Sequence, residues 1–578
     1  MASGSRLRAL GVAVITATVF MFATRQLSCD GAYSGTAAYR AQVDAFLAGR
    51  LALSTSPDSL LHDLVWTESG SQQVWGLGVP LWQTPFELAA RAIGQGPFPD
   101  RVALLLWIAL GWFVLARAFR REGDPWWLTG GALLIAAWLP AFVAMMRGKM
   151  AVYEEAAAYA YIAAMMLFGG LVAFARAPSR GRYVLLLAAA GLTGLIRPTV
   201  WFYGFATAAL ATVIYLRAQR RRALPAIALG AALFVAGGGV LYATNAARFG
   251  AGSEFGHRLN LHALPGNIVA TRFSYPFERV GLVEAGVELV GSLFGKPERD
   301  ASPRFYEPDL HAGQSELPRW REYYFTTFSW PYLPLILAGL VLGVLAWRRT
   351  TDERWLAAWA VIGALPLVLF YLRSPSMSSR YQLDLAPAIV ALLVIAWYAA
   401  GRWAMTKRRW QIAPAVLAAL WLVAVITSKV RTNRGPGILS RPTAGAAALM
   451  ISRAPSRPHP LPSEYTPTSP ELDREATGTK LYLNGNGWNE KTGAVAPGLF
   501  FYVEDPAFFE VEVEPADAEV RANLDLHHLA VAQRTGGRIR FAVPESTRGL
   551  HVVFLAFGPD MLIDRKETDI VLRRVRWR

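Results

Sequence analysis

Carboxylates and cations gather where long apolar segments of this sequence begin or end, and their types suggest chemistry. Glu154 and Glu155 lie at the start of one apolar segment, and Arg197 lies between two others. Arg380 and Tyr381 precede a further one. A carboxylate can take a proton from a hydroxyl group, and Arg binds phosphate and stabilises the charge that grows on it as it leaves. The set predicts a reaction on an anionic substrate held at a membrane.

Two more groups belong to the same set. Asp30 directly follows the first apolar segment, and Lys149 precedes the segment that begins with the two glutamates. A structural interpretation also exists. Acids are stabilised in the first turn of a helix by its dipole, and arginines at helix ends extend towards lipid headgroups. The sequence leaves both interpretations open.

Eleven apolar segments must position these side chains. Most of them approach the roughly 20 residues that cross about 30 Å of hydrocarbon. The sequence therefore predicts an α-helical polytopic membrane protein with about eleven transmembrane helices. The predicted segments are Leu7–Ala23, Val102–Ala118, Trp126–Met146, Ala151–Ala175, Tyr183–Ile196, Val200–Leu216, Ala223–Tyr242, Pro331–Trp347, Trp355–Tyr371, Leu385–Ala400 and Ile412–Thr427.

Lys and Arg are concentrated in alternate loops. Cytoplasmic loops of membrane proteins carry the excess of these residues, so the richer loops are predicted to be cytoplasmic. The N-terminus is then cytoplasmic, and an odd number of spans puts the C-terminus outside. The cation-rich segments contain Arg6 and Arg8; Arg117, Arg120 and Arg121; Arg176, Arg180 and Arg182; Arg217 and Arg220–Arg222; Arg348, Arg349 and Arg354; Arg402 and Lys407–Arg409.

Composition excludes several other classes of protein. Of the 578 residues, 53% are hydrophobic and 17% charged, with a mean hydropathy of +0.28, as in integral membrane proteins. Most of the net charge of +16 lies in the predicted cytoplasmic turns, so nucleic-acid binding is not expected. The single cysteine, Cys29, excludes internal disulfides and Cys-based zinc sites. No Walker or dinucleotide-binding motif is present, so the sequence shows no ATP-hydrolysing site that could drive transport.

Three external regions are long. Residues 24–101 and 243–330 are predicted external loops of a membrane domain that covers residues 1–428. Residues 429–474 contain repeated prolines and are predicted to form an extended linker. The third external region follows this linker.

Residues 475–578 are predicted to form an all-β sandwich domain. Phe509–Glu514 alternates apolar and acidic side chains, and Arg538–Val543 alternates in the same way. His551–Phe557 and Asp569–Trp577 are predicted as further strands. Such sandwiches occur in sugar-binding modules and in plain structural domains. Glycan contact by this domain therefore stays open.

Several short motifs lie in the first predicted external loop or near the external ends of later predicted spans. They are Asp30–Tyr33, Gly49–Leu53, His62–Trp66, Gly76–Leu81, Tyr153–Glu155, Gly194–Pro198, Asn245 with Arg248–Gly250, Glu254–Gly256 and Arg380–Pro387. They resemble the GT-C-type glycosyltransferase superfamily, which includes enzymes similar to dolichyl-phosphate-mannose protein mannosyltransferases and bacterial multi-span membrane proteins. The resemblance covers about residues 1–430.

The resemblance implies an enzyme of the bacterial inner (plasma) membrane that uses a polyprenyl-phosphate-linked sugar as donor. In such enzymes an acidic residue of the first external loop acts as, or positions, the catalytic base. Asp30 matches this position best because it follows the first span directly, and Asp63 is the second candidate. Many relatives carry paired acids in this loop, whereas Asp30 is followed by Gly31.

The resemblance also suggests which side chains bind substrate. Lys149, Arg197 and Arg380 are the candidates for the lipid phosphate. Some members of the superfamily use a divalent cation and others none, and Asp30 with Glu154 or Glu155 has oxygen ligands of the kind such a cation prefers. The cofactor is therefore left unassigned.

The leading hypothesis from the sequence is a membrane glycosyltransferase acting on the external face. Its expected partners are membrane lipid and a polyprenyl-phosphate-linked sugar. Two alternatives remain. One is a non-catalytic membrane protein of cell-envelope glycan assembly whose outer sandwich binds a partner. The other is a transporter of a lipid-linked glycan, which predicts ionisable groups in the middle of the membrane and broken helices.

Overall fold

A computed structural model describes most of the helical region and the C-terminal strands. The predicted spans Pro331–Trp347 and Ile412–Thr427 lie almost wholly outside the described residues, as does most of the linker at 429–474. The described residues are 2–27, 32–34, 38–53, 64–67, 69–121, 123–147, 150–256, 283, 286, 289–290, 320–322, 341, 351–373, 376–405, 416, 439–440, 460–461, 464–465, 481–484, 492–495, 498–504, 506–524, 527–545, 550–557 and 568–577.

Twelve α-helices have defined bounds in this part of the chain. They are α1 Ala2–Ala23, α2 Ala38–Leu47, α3 Gly78–Ala92, α4 Asp100–Phe119, α5 Trp126–Ala137, α6 Pro140–Arg147, α7 Val152–Arg176, α8 Arg180–Leu192, α9 Trp201–Gln219, α10 Leu224–Phe249, α11 Thr351–Arg373 and α12 Ala386–Met405. Short 3₁₀ turns at Thr193–Leu195 and Pro198–Val200 connect α8 to α9, and another at Ser379–Asp384 precedes α12.

Six helical stretches within the described ranges are long and apolar enough to cross a membrane. Large apolar side chains on these helices, such as Ile15 and Val235, are 64% and 68% exposed. A continuous exposed apolar surface is unfavourable in water and suits lipid, so the chain is a membrane protein. The six stretches are Arg6–Ala23, Asp100–Phe119, Val152–Arg176, Pro198–Gln219, Leu224–Phe249 and Ala386–Met405.

The predicted number of eleven transmembrane helices is not confirmed. The segment Trp126–Met146 was expected to form one continuous helix, but it forms α5 and α6, whose axes are bent by 58°. Pro140 explains the break, because its ring disfavours a helical conformation at Leu139 and it cannot donate a backbone hydrogen bond. In Tyr183–Ile196 the α-helix ends at Leu192. Its 13 residues extend about 20 Å, less than the thickness of the hydrocarbon.

Contacts between helix ends show which ends lie together. Arg402 at the end of α12 donates to the carbonyl of Phe119 at the end of α4 at 2.9 Å. Arg176 at the end of α7 donates to the same carbonyl at 3.0 Å. Arg402 also pairs with Asp124 at 2.9 Å in the connection from α4 to α5. These C-terminal ends form one end of the bundle, and the N-terminal ends of α4, α7 and α12 lie at the other.

Three small sheets accompany the helices. Strand β1 (Tyr33–Ser34) pairs antiparallel with β6 (Leu439–Ser440), and β2 (Leu64–Thr67) forms a hairpin with β3 (Gly70–Gln73). Strands β4 (Trp320–Glu322) and β5 (Ser376–Ser378) are parallel. The β2–β3 hairpin precedes α3, and its last residue, Gln73, accepts a hydrogen bond from Arg248 near the end of α10.

Two antiparallel sheets form the C-terminal region. The first has the strand order β13-β12-β16-β10-β9-β7, and the second has the order β14-β15-β11-β17-β8. The strands are β7 Pro460–Leu461, β8 Glu464–Tyr465, β9 Leu481–Asn484, β10 Gly498–Glu504, β11 Phe509–Glu514, β12 Val520–Leu524, β13 His527–Leu529, β14 Val531–Thr535, β15 Arg538–Phe541, β16 Leu550–Phe557 and β17 Val571–Trp577.

The predicted alternation along these strands is confirmed. Val511 of β11 and Leu572 of β17 are buried in one core with Leu499 of β10 and Val553 of β16. That core therefore receives side chains from both sheets. The acidic residues of β11 face outward, where Glu512 contacts Arg538 and Arg574 of the neighbouring strands.

Candidate functional site

A buried ion pair joins the start of α9 to the start of α12. Arg197 Nη2 lies 3.0 Å from Asp384 Oδ2. The Tyr371 hydroxyl donates to the same carboxylate, and the Tyr203 hydroxyl donates to the backbone carbonyl of Asp384 at 2.8 Å. Burial alone lowers the pKa of Arg197, but Asp384, Tyr371 and Tyr381 outweigh it and raise that pKa. The guanidinium therefore stays charged.

Arg380 connects this ion pair to the first turn of α7. Its Nη1 lies 3.8 Å from Oε1 of Glu154. The Arg380 guanidinium lies over the ring of Tyr153 at 4.1 Å and near the ring of Tyr381 at 5.6 Å. Arg197 lies 5.7 Å from that second ring. The aromatic ring of Tyr381 is thus shared by two guanidinium groups.

A second set of ion pairs lies at the first turn of α4. Arg101 Nη1 lies 3.6 Å from Oε2 of Glu155, and Arg40 Nε lies 3.7 Å from Oδ2 of Asp100. The other oxygen of Asp100 accepts the backbone N–H of Ser34 at 2.7 Å. Arg101 Nη2 also donates to the Ser34 hydroxyl at 3.2 Å. These contacts fix the chain that follows α1 to the start of α4.

The two sets are continuous because Glu154 and Glu155 are neighbours in α7. We call the whole group the ion cluster. Seven of its eight side chains are buried and Arg197 is half-buried. The N-terminal ends of α4, α7 and α12 meet here, and their dipoles favour anions at this place. The ion cluster consists of Arg40, Asp100, Arg101, Glu154, Glu155, Arg197, Arg380 and Asp384.

Five of the predicted site residues lie at this place. The structure brings Glu154, Glu155, Arg197, Arg380 and Tyr381 together from three separate parts of the chain. Their predicted roles in binding substrate remain predictions. One of the five also has a local structural role, since the carboxylate of Glu154 accepts a backbone N–H in the first turn of α7.

The other three predicted residues, Asp30, Asp63 and Lys149, lie outside the described residues. Each is close in sequence to a described residue whose contacts are known. Ala32 accepts a hydrogen bond from the backbone N–H of Arg101 at 3.0 Å. The carbonyl of Met150 accepts one from the Arg101 side chain at 3.4 Å. Leu64, which follows Asp63, is the register partner of Gln73 in the β2–β3 hairpin.

Comparison with known protein families and with curated proteins finds no match to this sequence. Among solved structures, the chain is similar to arabinosyltransferase EmbB from Mycobacterium smegmatis. The TM-score is 0.35 and the sequence identity is 10%. The match covers 99% of this chain, and this chain spans 64% of the EmbB chain.

Sequence reasoning did not identify Arg40, Asp100 and Arg101. A signal for two of them was present, because Asp100 and Arg101 directly precede the apolar run that begins at Val102. Charged residues at the edge of a span are commonly assigned to the exposed loop. For this reason the sequence did not indicate that Asp100 and Arg101 are buried. Arg40 carries no such signal, since α2 is short and the contact of Arg40 with Asp100 depends on how the chain after α1 packs against the start of α4.

The opposite end of the bundle has a simpler ion pair. Asp124 contacts Arg402 at 2.9 Å and accepts the backbone N–H of Arg121 at 2.8 Å. Burial tends to raise the pKa of Asp124, but the hydrogen bonds from Arg402 and Arg121 outweigh it and lower that pKa. Within the described residues, no group of three or more His, Cys, Asp or Glu side chains is arranged to hold a metal ion.

Gly76 lies between the β2–β3 hairpin and α3, where two backbones touch. A Cβ atom at this position would lie 2.2 Å from the carbonyl oxygen of Leu195. We expect Gly76→Ala to lower the free energy of unfolding by about 2–3 kcal/mol, because backbone atoms cannot move aside cheaply. Thermal unfolding in detergent measures the effect. The control is Gly130→Ala, where a Cβ meets nothing within 4 Å. Equal melting temperatures for the two variants would contradict the expectation.

Proposed function

We propose that this protein is a membrane glycosyltransferase that transfers a sugar from a polyprenyl-phosphate donor to an acceptor on the external face of the membrane. The observation that carries the proposal is the ion cluster, in which four arginines and four carboxylates meet where several helices begin. Burying charged groups is costly even when they are paired. Their concentration at one place in a membrane protein is expected when they act on a charged substrate.

The donor phosphate fits the half of the ion cluster formed by Arg197 and Arg380. Both guanidinium groups lie near the ring of Tyr381, at 5.7 Å for Arg197 and 5.6 Å for Arg380, and an aromatic ring attracts a cation near its face. Guanidinium groups bind phosphate through parallel hydrogen bonds. Lys149, next to Met150, is proposed as a third phosphate ligand. In this arrangement the cations exchange part of their contact with Glu154 and Asp384 for contact with the donor.

The reaction needs a base, and we propose Asp30 for this role with Asp63 as second candidate. The base takes the proton of an acceptor hydroxyl, whose oxygen then attacks the anomeric carbon of the donor sugar. The bond from that carbon to the phosphate oxygen breaks, and its electron pair leaves with the phosphate. Arg197 and Arg380 stabilise the negative charge that develops there. Attack from the side opposite the phosphate inverts the anomeric carbon.

Covalent geometry supports the choice of Asp30. Ala32 is only two residues further along the chain, and it is bonded to the backbone of Arg101 in the ion cluster. Consecutive Cα atoms are about 3.8 Å apart, so the Cα atoms of Asp30 and Ala32 lie within about 8 Å of each other. This short separation along the chain supports Asp30 as the base for a substrate bound at the ion cluster.

The proposed orientation follows from the loop charges. We propose that the ion cluster faces the outside and that the Asp124–Arg402 end faces the cytoplasm, because the second end carries the excess of Lys and Arg. The C-terminal region at 475–578, after the linker at 429–474, is then outside the bacterial inner membrane. A transporter is supported less well. It calls for ionisable groups in the middle of the spans, whereas the ion cluster lies at helix ends.

Binding of the lipid phosphate tests this proposal without knowledge of the sugar. Purified protein in detergent is titrated with undecaprenyl phosphate and, separately, with undecaprenol, and binding is followed by native mass spectrometry. We expect the wild type to prefer the phosphate clearly. Arg380→Gln is expected to weaken phosphate binding by about 10- to 100-fold, because a charge-assisted hydrogen bond is lost.

The matched control is Arg402→Gln at the opposite end of the bundle. It also removes an ion-paired arginine, which is half-buried, but it is expected to leave the preference for the phosphate unchanged. Arg380→Lys keeps a positive charge opposite Glu154, so the protein is expected to fold. Comparing it with Arg380→Gln distinguishes a loss of phosphate binding from a loss of folding. A wild-type protein that binds the alcohol and the phosphate equally well would show that the proposed donor is wrong.

A further inference from the structure

Buried polar groups without partners lie next to the ion cluster. Among the described residues, nothing pairs with the hydroxyl of Tyr39, with either polar side-chain atom of Gln73, or with the indole N–H of Trp75. These side chains are 2%, 0% and 8% exposed. An unpaired polar group in a protein interior costs free energy. Four such atoms in three neighbouring residues indicate that something else bonds to them during function.

The three residues belong to one patch. Gln73 is the last residue of β3 and Trp75 follows two residues later, and a single guanidinium, that of Arg248, donates to the backbone carbonyls of both. The Trp75 ring lies 6.4 Å from the Tyr39 ring and 5.6 Å from the Tyr153 ring. Tyr153 in turn lies under the guanidinium of Arg380. The patch therefore adjoins the half of the ion cluster proposed to bind phosphate.

A residue of another helix holds the backbone of Gln73 and Trp75 in place. Arg248, near the end of α10, donates to the carbonyl of Gln73 at 3.1 Å and to that of Trp75 at 3.2 Å. A third hydrogen bond, donated to the side-chain oxygen of Asn245 at 2.9 Å, fixes the guanidinium itself. The side chains of Gln73 and Trp75 are thus presented on a rigid support, as binding sites require.

We propose that Tyr39, Gln73 and Trp75 form a subsite for a neutral sugar ring. The patch offers both donors and an acceptor, which matches hydroxyl groups because each of them donates and accepts. A phosphate or carboxylate only accepts, and it would leave the carbonyl oxygen of Gln73 unpaired. The faces of Trp75 and Tyr39 suit the C–H face of a sugar. Burial and the nearby Glu155 raise the pKa of Tyr39, so its hydroxyl stays protonated and neutral.

This inference rests on the proposed function, since the subsite would hold the sugar beside the phosphate contacts. It also makes a separate claim about stability. Gln73→Met keeps the length of the side chain and removes both unpaired atoms. We expect it to raise the melting temperature of the ligand-free protein by about 1–3 °C. The same change is expected to weaken sugar binding by about tenfold or more.

Gln72 provides a matched control. It is the adjacent residue, of the same type and equally buried, but its amide nitrogen donates to the Ser69 hydroxyl at 3.0 Å, so only its side-chain oxygen is without a partner. Gln72→Met is therefore expected to lower the melting temperature and to leave sugar binding within about threefold of wild type. Tyr39→Phe and Trp75→Phe each remove one unpaired group, and they serve as independent variants if Gln73→Met does not fold.

The probes are methyl glycosides of glucose, galactose, mannose and arabinose, added to the purified full-length protein. Saturation-transfer NMR measures binding and differential scanning fluorimetry measures stability. Binding of one of them, lost in Gln73→Met, is the expected result. The inference is overturned if the wild type binds none, or if Gln73→Met lowers the melting temperature as Gln72→Met does. Glycoside binding without a preference for undecaprenyl phosphate would instead leave the subsite standing and remove the proposed donor.

Discussion

Asp30→Asn is expected to reduce sugar transfer by about 10³-fold, with little change in the amount of folded protein. An amide has the shape of the carboxylate but cannot take the proton of the acceptor hydroxyl, and general-base catalysis contributes about 10²- to 10⁴-fold. Asp30 precedes by two residues Ala32, whose carbonyl accepts the backbone N–H of Arg101. Binding of undecaprenyl phosphate should be unaffected, since the phosphate contacts are made by other side chains.

The measurement is release of polyprenyl phosphate from a panel of polyprenyl-phosphate-linked hexoses and pentoses in proteoliposomes. Asp44→Asn is the matched control. It lies in the same stretch between α1 and α4, but its side chain is exposed and paired with Arg91. We expect this variant to transfer at a rate within about threefold of wild type. Full activity of Asp30→Asn would remove Asp30 from the mechanism, and a large loss in Asp63→Asn instead would identify the second candidate as the base.

Part of the site could be predicted because charge is conspicuous in apolar sequence. Glu154, Glu155, Arg197 and Arg380 interrupt or border long hydrophobic runs. If successive spans run in opposite directions, all four lie at one end of the bundle, and the ion pairs formed by these residues agree with that. The sequence does not indicate which of these residues form ion pairs with each other. Nothing in the spacing indicates that Arg197 contacts Asp384, 187 residues later.

Hydropathy also explains why one predicted span differs from the structure. A window average over Trp126–Met146 is uniformly apolar, so it predicts one continuous helix. The bend at Pro140 is a local backbone effect that such an average does not detect. In the C-terminal region, period-two alternation located β11 and β15 correctly, but it could not give the strand order. Strand β11 pairs with β15 on one side and with β17, the last strand, on the other.

The ion pair between Arg197 and Asp384 is expected to be strongly coupled. Asp384→Asn leaves the guanidinium of Arg197 in a mostly buried position without its carboxylate, and it should lower the free energy of unfolding by about 3 kcal/mol. Arg197→Met should have a cost of the same order. The double variant removes both charges, so its loss should be smaller than the sum of the single losses by about 2 kcal/mol. Unfolding by SDS titration in mixed micelles gives these values.

The control pair is Arg573 and Glu514 in the C-terminal sheets. Their charged groups lie 2.5 Å apart, closer than those of Arg197 and Asp384, but their side chains are 47% and 61% exposed. Water screens such a pair, so the coupling between Arg573→Met and Glu514→Gln should be below about 1 kcal/mol. Additive losses at the buried pair would show that Arg197 and Asp384 are hydrated independently of each other. The charges of the ion cluster would then not be shielded from water, and they would not depend on one another. The proposed selectivity for a lipid phosphate requires both properties.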